Sequence, residues 1–308
     1  MSRLLATLLY ALAWSLARLP QPWLAALADT IAGWWIRIDA REARVARRNL
    51  ELVMPQLDAD ARTALHRQVL CTTAQQALET MRFWTHPHAE NLALIRETHG
   101  VDLFDAAIAR GNGVIVAAPH YGNWELLNQW LAAHTALAIL YRPPESAIGE
   151  AFLQRVRADG DGHITQIRAG AAGVRQLFRL LQGGGVVGIL PDQQPKVGDG
   201  VFAPFFGLQA LTMTLLTRLA QRTGATVLFA YCERIRSATG VPGFDLRFEA
   251  APAGIDAANP DTGARALNAM IERIARRDPA QYQWTYKRYN VRPHDSGETS
   301  PYANTPLQ

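Results

Sequence analysis

Short aliphatic segments alternate with helical segments from about residue 97 onward, and this alternation constrains the fold more than any other feature. Gly113–Ala118 is almost wholly small or β-branched, which is typical of a strand buried on both faces. The other predicted strands are Leu137–Tyr141, Gly185–Leu190, Thr226–Tyr231 and Phe244–Phe248. Helical spacing predicts helices at Trp124–Ala133, Gly173–Leu181, Thr212–Thr223 and Asp261–Arg277. Strands that alternate with helices predict an α/β fold with a central, mostly parallel sheet flanked by helices.

Three of the predicted strands end in polar clusters. Residues 119–125 read Pro-His-Tyr-Gly-Asn-Trp-Glu, residues 141–144 read Tyr-Arg-Pro-Pro, and residues 191–195 read Pro-Asp-Gln-Gln-Pro. In open α/β sheets, ligands bind beyond the carboxyl ends of the strands. We therefore expect these three clusters to converge on one site.

The first of these clusters contains a candidate general base. His120 follows the buried strand, and Glu125 lies in the first turn of the next helix, which Gly122 or Asn123 can cap. The turn can bring the imidazole ring against the Glu125 carboxylate, and an imidazole held in this way can act as a base. No serine lies in a G-x-S-x-G elbow and neither cysteine neighbours a histidine, so the proton would come from a substrate hydroxyl. The alternative is a histidine that only ties the loop to the helix.

The N-terminal region is apolar and then strongly basic. Leu4–Ala17 is a run of roughly 14 apolar residues, shorter than the ~20 that a straight membrane-spanning helix needs. A second apolar segment, Trp23–Ile36, contains three tryptophans, and residues 37–48 are rich in arginine. This order favours a monotopic or single-pass anchor on an anionic membrane leaflet. A buried helical hairpin and a cleaved signal peptide are the alternatives.

These features divide the chain into four parts. Residues 1–36 form the membrane-associating helices, residues 37–95 a further helical part, residues 96–292 the α/β domain, and residues 293–308 a polar tail that we expect to be mobile. Within the second part, apolar residues at helical spacing predict a helix over Asp58–Trp84, with Asp58 or Asp60 as its N-cap.

The composition excludes several classes of protein. With 49% hydrophobic and 19% charged residues the chain is neither disordered nor as apolar as a polytopic membrane protein. Its two cysteines, Cys71 and Cys232, cannot build a disulfide framework or a cysteine-rich zinc site. The net charge of +4 is almost wholly arginine, which suits phosphorylated or acidic partners, although a GC-rich genome would also raise the arginine content. No nucleic-acid-binding motif accompanies this charge.

The string from His120 to Glu125 resembles the H-x4-D/E block of the glycerolipid acyltransferase superfamily. Its wording, H-x-G-N-W-E, is similar to the branch of lipid A late acyltransferases, the lauroyl and myristoyl transferases. The resemblance covers most of the chain and is carried, in order, by the N-terminal apolar segment, Arg44–Leu50, the Tyr-Arg-Pro strand end, Pro191-Asp192-Gln193, Phe205-Phe206-Gly207 with Thr212, and Gln283-Trp284 to Arg288-Tyr289. This ordered series is far more specific than a lone H-x4-E, and it implies a glycerolipid acyltransferase-like α/β fold.

The resemblance also implies a reaction. A fatty acyl group would move from an acyl carrier protein or coenzyme A thioester to a hydroxyl of a lipid A precursor, at the cytoplasmic face of the inner membrane. His120 would be the general base, and Glu125 would orient and charge-balance its ring. Arg157 would stabilise the oxyanion or hold a phosphate, with Arg155 as the alternative if the alignment shifts.

The remaining site residues follow from the same resemblance and from the strand ends. The expected substrate-binding residues are Asn123, Tyr141, Arg142, Arg155, Asp192 and Gln193. The chemistry needs no metal ion and no organic cofactor. Three alternatives stay open: an acyltransferase with a different lipid or pigment acceptor, a non-catalytic lipid-binding protein, and a thioesterase in which His120 activates water.

Overall fold

A seven-stranded sheet lies at the centre of the computed structural model, which describes residues 2–141, 146, 149, 163–235 and 243–303. Its order is β1-β9-β8-β2-β5-β3-β4, and all neighbours are parallel except β8 and β9. The strands of this sheet are β1 (Ile95–His99), β2 (Val114–Ala117), β3 (Leu137–Tyr141), β4 (Ile164–Arg168), β5 (Val186–Ile189), β8 (Thr226–Ile235) and β9 (Gly243–Ala250). The remaining two, β6 (Gly200–Phe205) and β7 (Leu208–Met213), form a separate antiparallel hairpin. The predicted mostly parallel α/β sheet is confirmed.

Helices cover both faces of the sheet. They are α1 (Ser2–Leu16), α2 (Gln21–Arg37), α3 (Arg41–Val53), α4 (Ala59–Thr85), α5 (His88–Leu92), α6 (Val101–Ala109), α7 (Trp124–His134), α8 (Ala171–Gln182), α9 (Leu215–Thr223) and α10 (Pro260–Ala275). On β2, Val114 and Val116 face a core formed with α6 and α7, while Ile115 and Ala117 face a core formed with α3, α8, α9 and α10. Because both faces are buried, β2 is apolar throughout.

The sequence analysis did not predict edge strand β1, and it misplaced the boundary between β7 and α9. Edge strand β1 is mostly exposed and polar, so its residues lack the apolar run that marks a buried strand. Residues 212–214 were expected to begin a helix, but β7 extends to Met213 and α9 begins at Leu215. Pairing of β7 with β6 decides this boundary, and local sequence does not reveal that pairing.

The two N-terminal helices pack in an unusual orientation. Both contact α4, and the residues they bury are mostly alanines: Ala6, Ala13, Ala17, Ala28 and Ala32, with Leu24. Their large apolar side chains are exposed instead, namely Leu5, Leu8, Leu9, Leu12, Trp14, Trp23, Trp34 and Ile36. None of the described helices combines the length and the hydrophobicity needed to cross a bilayer.

The described part of the polar C-terminal tail, which ends at residue 303, packs against the helical N-terminal part. Tyr302 is buried, and its hydroxyl donates to Asn49 Oδ1 on α3. Asn49 in turn donates to the carbonyl oxygens of Trp284 and Tyr286. A buried aromatic side chain with a hydrogen bond therefore anchors this otherwise polar segment.

Candidate active site

The loop after β2 positions His120. Gly122 has a φ of 61°, and a Cβ at this position would lie 2.0 Å from the carbonyl oxygen of Cys232 on β8. Only glycine allows this left-handed turn with so close an approach to the neighbouring strand. The His120 carbonyl accepts a hydrogen bond from the Gln283 N–H (3.0 Å), and the Asn123 N–H donates to the Cys232 carbonyl (2.8 Å). The backbone around His120 is therefore fixed from two sides.

Asp192 is the carboxylate that contacts the His120 ring. Its Oδ1 lies 2.6 Å from Nδ1 of the imidazole, and its Oδ2 accepts the backbone N–H of His120 at 2.8 Å. The two residues follow β2 and β5, which are adjacent parallel strands, so the carboxyl ends of these strands bring them together. A carboxylate against Nδ1 holds the ring proton there and leaves the lone pair on Nε2.

The Asp192 carboxyl group is ionised because of its histidine partner. Burial alone would raise its pKa, but the charge of His120 and the two hydrogen bonds from that residue outweigh burial and lower the pKa. Burial, together with the same carboxylate, raises the pKa of the neighbouring Tyr282 well above its usual value. The site thus holds a fixed negative charge behind the imidazole.

Glu125 does not take the place beside the ring that the sequence predicted for it. Nδ1 is occupied by Asp192, and Nε2 lies 3.1 Å from the Gln193 side-chain nitrogen. Glu125 is buried in the first turn of α7, and its backbone N–H donates to Asn123 Oδ1. The reason for the difference is topological, since β5 delivers a carboxylate from far along the chain to the atom that a local turn was expected to reach.

Asn123 links the histidine loop to a largely buried ion pair. Its Oδ1 caps α7, as expected, and its Nδ2 donates to Glu79 Oε2 on α4 at 3.2 Å. Glu79 binds the Arg234 guanidinium, whose Nε donates to Oε1 at 2.8 Å. Burial would lower the pKa of Arg234, but the Glu79 charge and hydrogen bond raise it instead. The sequence analysis missed this pair, because nothing local to Glu79 or Arg234 indicates that they meet.

Gln281 and Gln283 are further site residues without a predicted role. Gln281 Oε1 accepts the Arg234 N–H at 2.7 Å, and Gln283 Oε1 accepts from the Gln193 amide at 3.4 Å. Gln283 belongs to the segment that carried the resemblance, which was the one available signal for it, whereas Gln281 lies two residues before that segment. They brace the loop after β2 and the side chain that contacts Nε2.

A cleft of ≈ 910 Å³ opens at the carboxyl ends of β2, β3 and β5. The cleft is lined by His120 from the cluster after β2 and by Gln193 from the cluster after β5. Tyr141, the first residue of the cluster after β3, also lines it, so the three predicted clusters meet there. Trp124 packs edge-on against His120, with ring centroids 4.9 Å apart. The apolar lining of the cleft includes Leu140, Val174, Phe178, Leu190, Met213, Leu215 and Leu219. Its cationic lining includes Lys196, Arg218 and Arg222. Three predicted site residues, Arg142, Arg155 and Arg157, lie outside the described residues.

One group of potential metal ligands occurs in the described chain, away from this cleft. Glu97 and His99 on edge strand β1 lie near Asp245 on β9. Asp245 is already bound by the Arg247 guanidinium at 2.5 Å. None of these three residues lines the cleft.

Comparison with known proteins identifies the family. A model of the family described as bacterial lipid A biosynthesis acyltransferase matches residues 1–290. The lipid A biosynthesis palmitoleoyltransferase of Escherichia coli is 26% identical over 291 residues, which are 94% of this chain and 91% of that protein. The lipid A biosynthesis lauroyltransferase of the same species is 24% identical over 281 residues, 91% of this chain and 89% of that protein.

A third relative is named for a different lipid acceptor. The phosphatidylinositol mannoside acyltransferase of Mycolicibacterium smegmatis is 32% identical over 241 residues, 72% of this chain and 73% of that protein. The family resemblance inferred from the sequence motifs is confirmed by the family model, which extends over nearly the whole chain. The chain belongs to the bacterial lipid A biosynthesis acyltransferase family and is an acyltransferase.

Proposed function

We propose that this acyltransferase moves a fatty acyl group from an acyl carrier protein thioester to a hydroxyl of a lipid A precursor, with His120 as general base. The observation that carries the proposal is the contact between the His120 ring and Asp192 in a cleft with apolar and cationic walls. The apolar wall suits an acyl chain and the cations suit an anionic acceptor. The names of the lauroyl and palmitoleoyl transferases support the same type of reaction.

The proposed step uses Nε2 of His120. Nε2 takes the proton of the acceptor hydroxyl while the oxygen attacks the thioester carbonyl carbon. The tetrahedral intermediate then collapses, the C–S bond breaks, and the leaving sulfur takes the proton from the imidazolium. Asp192 holds Nδ1–H and balances the charge of the imidazolium. The Gln193 amide, which contacts Nε2 in the free protein, gives up this position to the acceptor hydroxyl.

The other predicted residues enter the proposal in supporting roles. Asp192 takes over the ring-orienting role first assigned to Glu125, which remains a proposed catalytic residue at the start of α7. Arg157, with Arg155 as its alternative, stabilises the oxyanion or holds a phosphate. Substrate binding is assigned to Asn123, Tyr141, Arg142 and Gln193. Asn123 acts through the loop that it holds, whereas Tyr141 and Gln193 line the cleft.

The proposed location is the cytoplasmic face of the inner membrane. The outward-facing leucines and tryptophans of α1 and α2 supply apolar surface for the interface between headgroups and acyl chains. A protein lying in that interface can take its lipid acceptor from the membrane and its acyl donor from the cytosol.

The test is acyl transfer by the detergent-purified protein. A panel of acyl carrier protein thioesters and a tetra-acylated lipid A disaccharide are incubated with it, and the products are read by mass spectrometry. We expect the lipid to gain one acyl mass with the wild type and with His134→Ala, a histidine on α7 outside the cleft. His120→Ala is expected to stay folded and lose the gain. Transfer by that variant at near the wild-type rate would falsify the mechanism.

A second acceptor is favoured by one specific observation, the 32% identity to a phosphatidylinositol mannoside acyltransferase. Phosphatidylinositol mannoside is therefore included in the same panel. Acylation of this lipid alone would keep His120 as the base and change the acceptor. Release of free fatty acid without any acylated lipid would instead identify a thioesterase.

A further inference from the structure

Two arginines of α9 face the cleft that contains His120. Arg218 and Arg222 line it together with Leu215 and Leu219 of the same helix. These four positions follow the i, i+3, i+4, i+7 spacing of one helix face. Arg218 and Arg222 are four residues apart, about 6 Å along the helix axis, so their side chains are neighbours.

Among the residues that the structure describes, this arginine pair has no ion-pair partner. In the described part of the chain, neither guanidinium has a hydrogen bond or an ion pair, and both side chains are exposed. Among the described lining residues, the cations are Lys196, Arg218 and Arg222. The one carboxylate among them is Asp199. Like charges at i, i+4 repel each other, so an anion placed between them relieves a local cost.

The rest of the cleft indicates what kind of anion it receives. The apolar part of the cleft wall includes Met213 and Leu215, together with Val174 and Phe178 of α8. Guanidinium groups bind phosphate bidentately, which makes two of them one turn apart suited to a phosphate group. A ligand that satisfies both parts of the wall carries phosphate and alkyl chains in one molecule.

We propose that Arg218 and Arg222 bind a phosphate group of the acceptor and make acyl transfer selective for phosphorylated lipids. This proposal rests on the proposed function, because it presumes a lipid acceptor in the His120 cleft. The same phosphate chemistry occurs in the phosphopantetheine arm of the donor, so the experiment has to separate the two sources.

The experiment compares Arg218→Gln/Arg222→Gln with Arg175→Gln/Arg179→Gln. The control pair lies on α8, is exposed, has the same four-residue spacing and does not line the cleft. Both double variants remove two positive charges and keep good helix formers. Acyl transfer is measured with the tetra-acylated disaccharide in its phosphorylated form and after enzymatic removal of the phosphates.

We expect the α9 variant to raise the KM for the phosphorylated acceptor by about 10- to 100-fold with little change in kcat, since charge-assisted hydrogen bonds are lost from binding. It should also lose the preference for phosphorylated over dephosphorylated acceptor, while the α8 control keeps that preference. A rise in the KM of the carrier thioester alone would overturn the assignment to the acceptor and give the site to the donor. Equal effects of both double variants, or none, would overturn the phosphate site itself.

A binding measurement separates this proposal from the proposed function. Equilibrium binding of the phosphorylated and dephosphorylated disaccharide to the His120→Ala protein requires no turnover, and inorganic phosphate serves as a competitor. If the wild type acylates no lipid while binding still depends on the phosphate and on Arg218 and Arg222, that result would support the phosphate site and refute the proposed reaction. Transfer without any phosphate preference would do the reverse.

Discussion

At the scale of single residues, the site depends on a histidine whose two ring nitrogens both contact residues that follow β5. Asp192 binds Nδ1 and Gln193 lies against Nε2. The carboxylate fixes the ring orientation and the tautomer, and a base in the wrong tautomer has no lone pair to offer the acceptor. In the proposed mechanism Asp192 is therefore a positioning residue, and Nε2 is the atom expected to react.

Asp192→Asn should lower kcat by about two to four orders of magnitude, because an amide can hold the ring but no longer balances the imidazolium charge. The acceptor KM should change little. The matched control is Asp199→Asn, a cleft carboxylate that does not contact the histidine. Steady-state rates of acyl transfer measure both variants, and a wild-type kcat in Asp192→Asn would contradict the assigned role.

The same carboxylate predicts a pH dependence of stability. The pKa of Asp192 is lower in the folded protein than in the unfolded chain, so its stabilisation is complete above the ordinary carboxyl pKa of about 4 and is lost as the pH falls toward the folded-state pKa. Urea unfolding at pH 7 should find Asp192→Asn destabilised by about 1–3 kcal/mol. That difference in the free energy of unfolding should shrink below pH 4. If it grows there instead, folding does not lower the pKa of Asp192.

Gly122 is the backbone counterpart of this pair. Gly122→Ala should destabilise the protein by about 2 kcal/mol or more and impair acyl transfer, because the new Cβ would meet the Cys232 carbonyl. Gly111→Ala is the control, since Gly111 also has a positive φ but nothing within 4 Å of its Cβ position. Thermal unfolding measures both variants, and equal losses would mean that backbone strain alone, without the contact to β8, explains the effect.

At the scale of elements, the loop that contains His120 is held by a helix and a strand that lie far apart along the chain. Glu79 on α4 and Arg234 on β8 form a largely buried ion pair, and Asn123 at the start of α7 binds the same glutamate. The C-terminal segment adds Gln281 and Gln283. Through these contacts, α4, α7, β8 and the C-terminal segment share one polar network.

Glu79→Gln should destabilise the fold by about 3 kcal/mol, because it leaves the Arg234 charge uncompensated in a largely buried setting. Asp29→Asn removes an ion pair with Arg67 in which both side chains are more than half exposed, and should cost at most about 1 kcal/mol. Chemical denaturation of the two variants gives the comparison. If Glu79→Gln lowers the free energy of unfolding as little as Asp29→Asn does, the Glu79–Arg234 ion pair contributes no more to stability than an exposed pair.

At the scale of the whole molecule, one end of the protein presents apolar surface to its surroundings. Helices α1 and α2 pack alanines against α4 and leave leucines and tryptophans exposed. In water this arrangement is unfavourable, whereas at a membrane interface each exposed leucine gains the free energy of burial. The orientation of these helices supports the proposed position at a membrane surface.

Leu8→Ser/Leu12→Ser should reduce binding to anionic phospholipid vesicles by about 10- to 100-fold, because two exposed leucines no longer enter the interface. Leu103→Ser is the control, because Leu103 is also an exposed leucine but lies on α6, away from α1 and α2. Co-sedimentation with vesicles measures the partition. Unchanged binding of the double variant would refute membrane contact through α1.

The sequence by itself determined the elements that are specified locally. Buried parallel strands need continuous apolar residues, so β2, β3 and β5 were predicted almost to the residue. Chain order also predicted that their polar ends converge, because parallel strands end at the same edge. The H-x-G-N-W-E string and the ordered motifs that follow it indicated the family by resemblance, and the structure shows a left-handed glycine at Gly122 and a helix cap at Asn123.

Tertiary structure alone decided which groups act on one another. The partner of His120 is Asp192 after β5 and not the nearby Glu125, and the partner of Glu79 is Arg234 on β8. Strand order also remained hidden, as did the β6–β7 hairpin and the burial of Tyr302 in the polar tail. The physical reason is the range of the interactions: helical and strand patterns repeat within a few residues, whereas hydrogen bonds and ion pairs form between any groups that packing brings within about 3 Å.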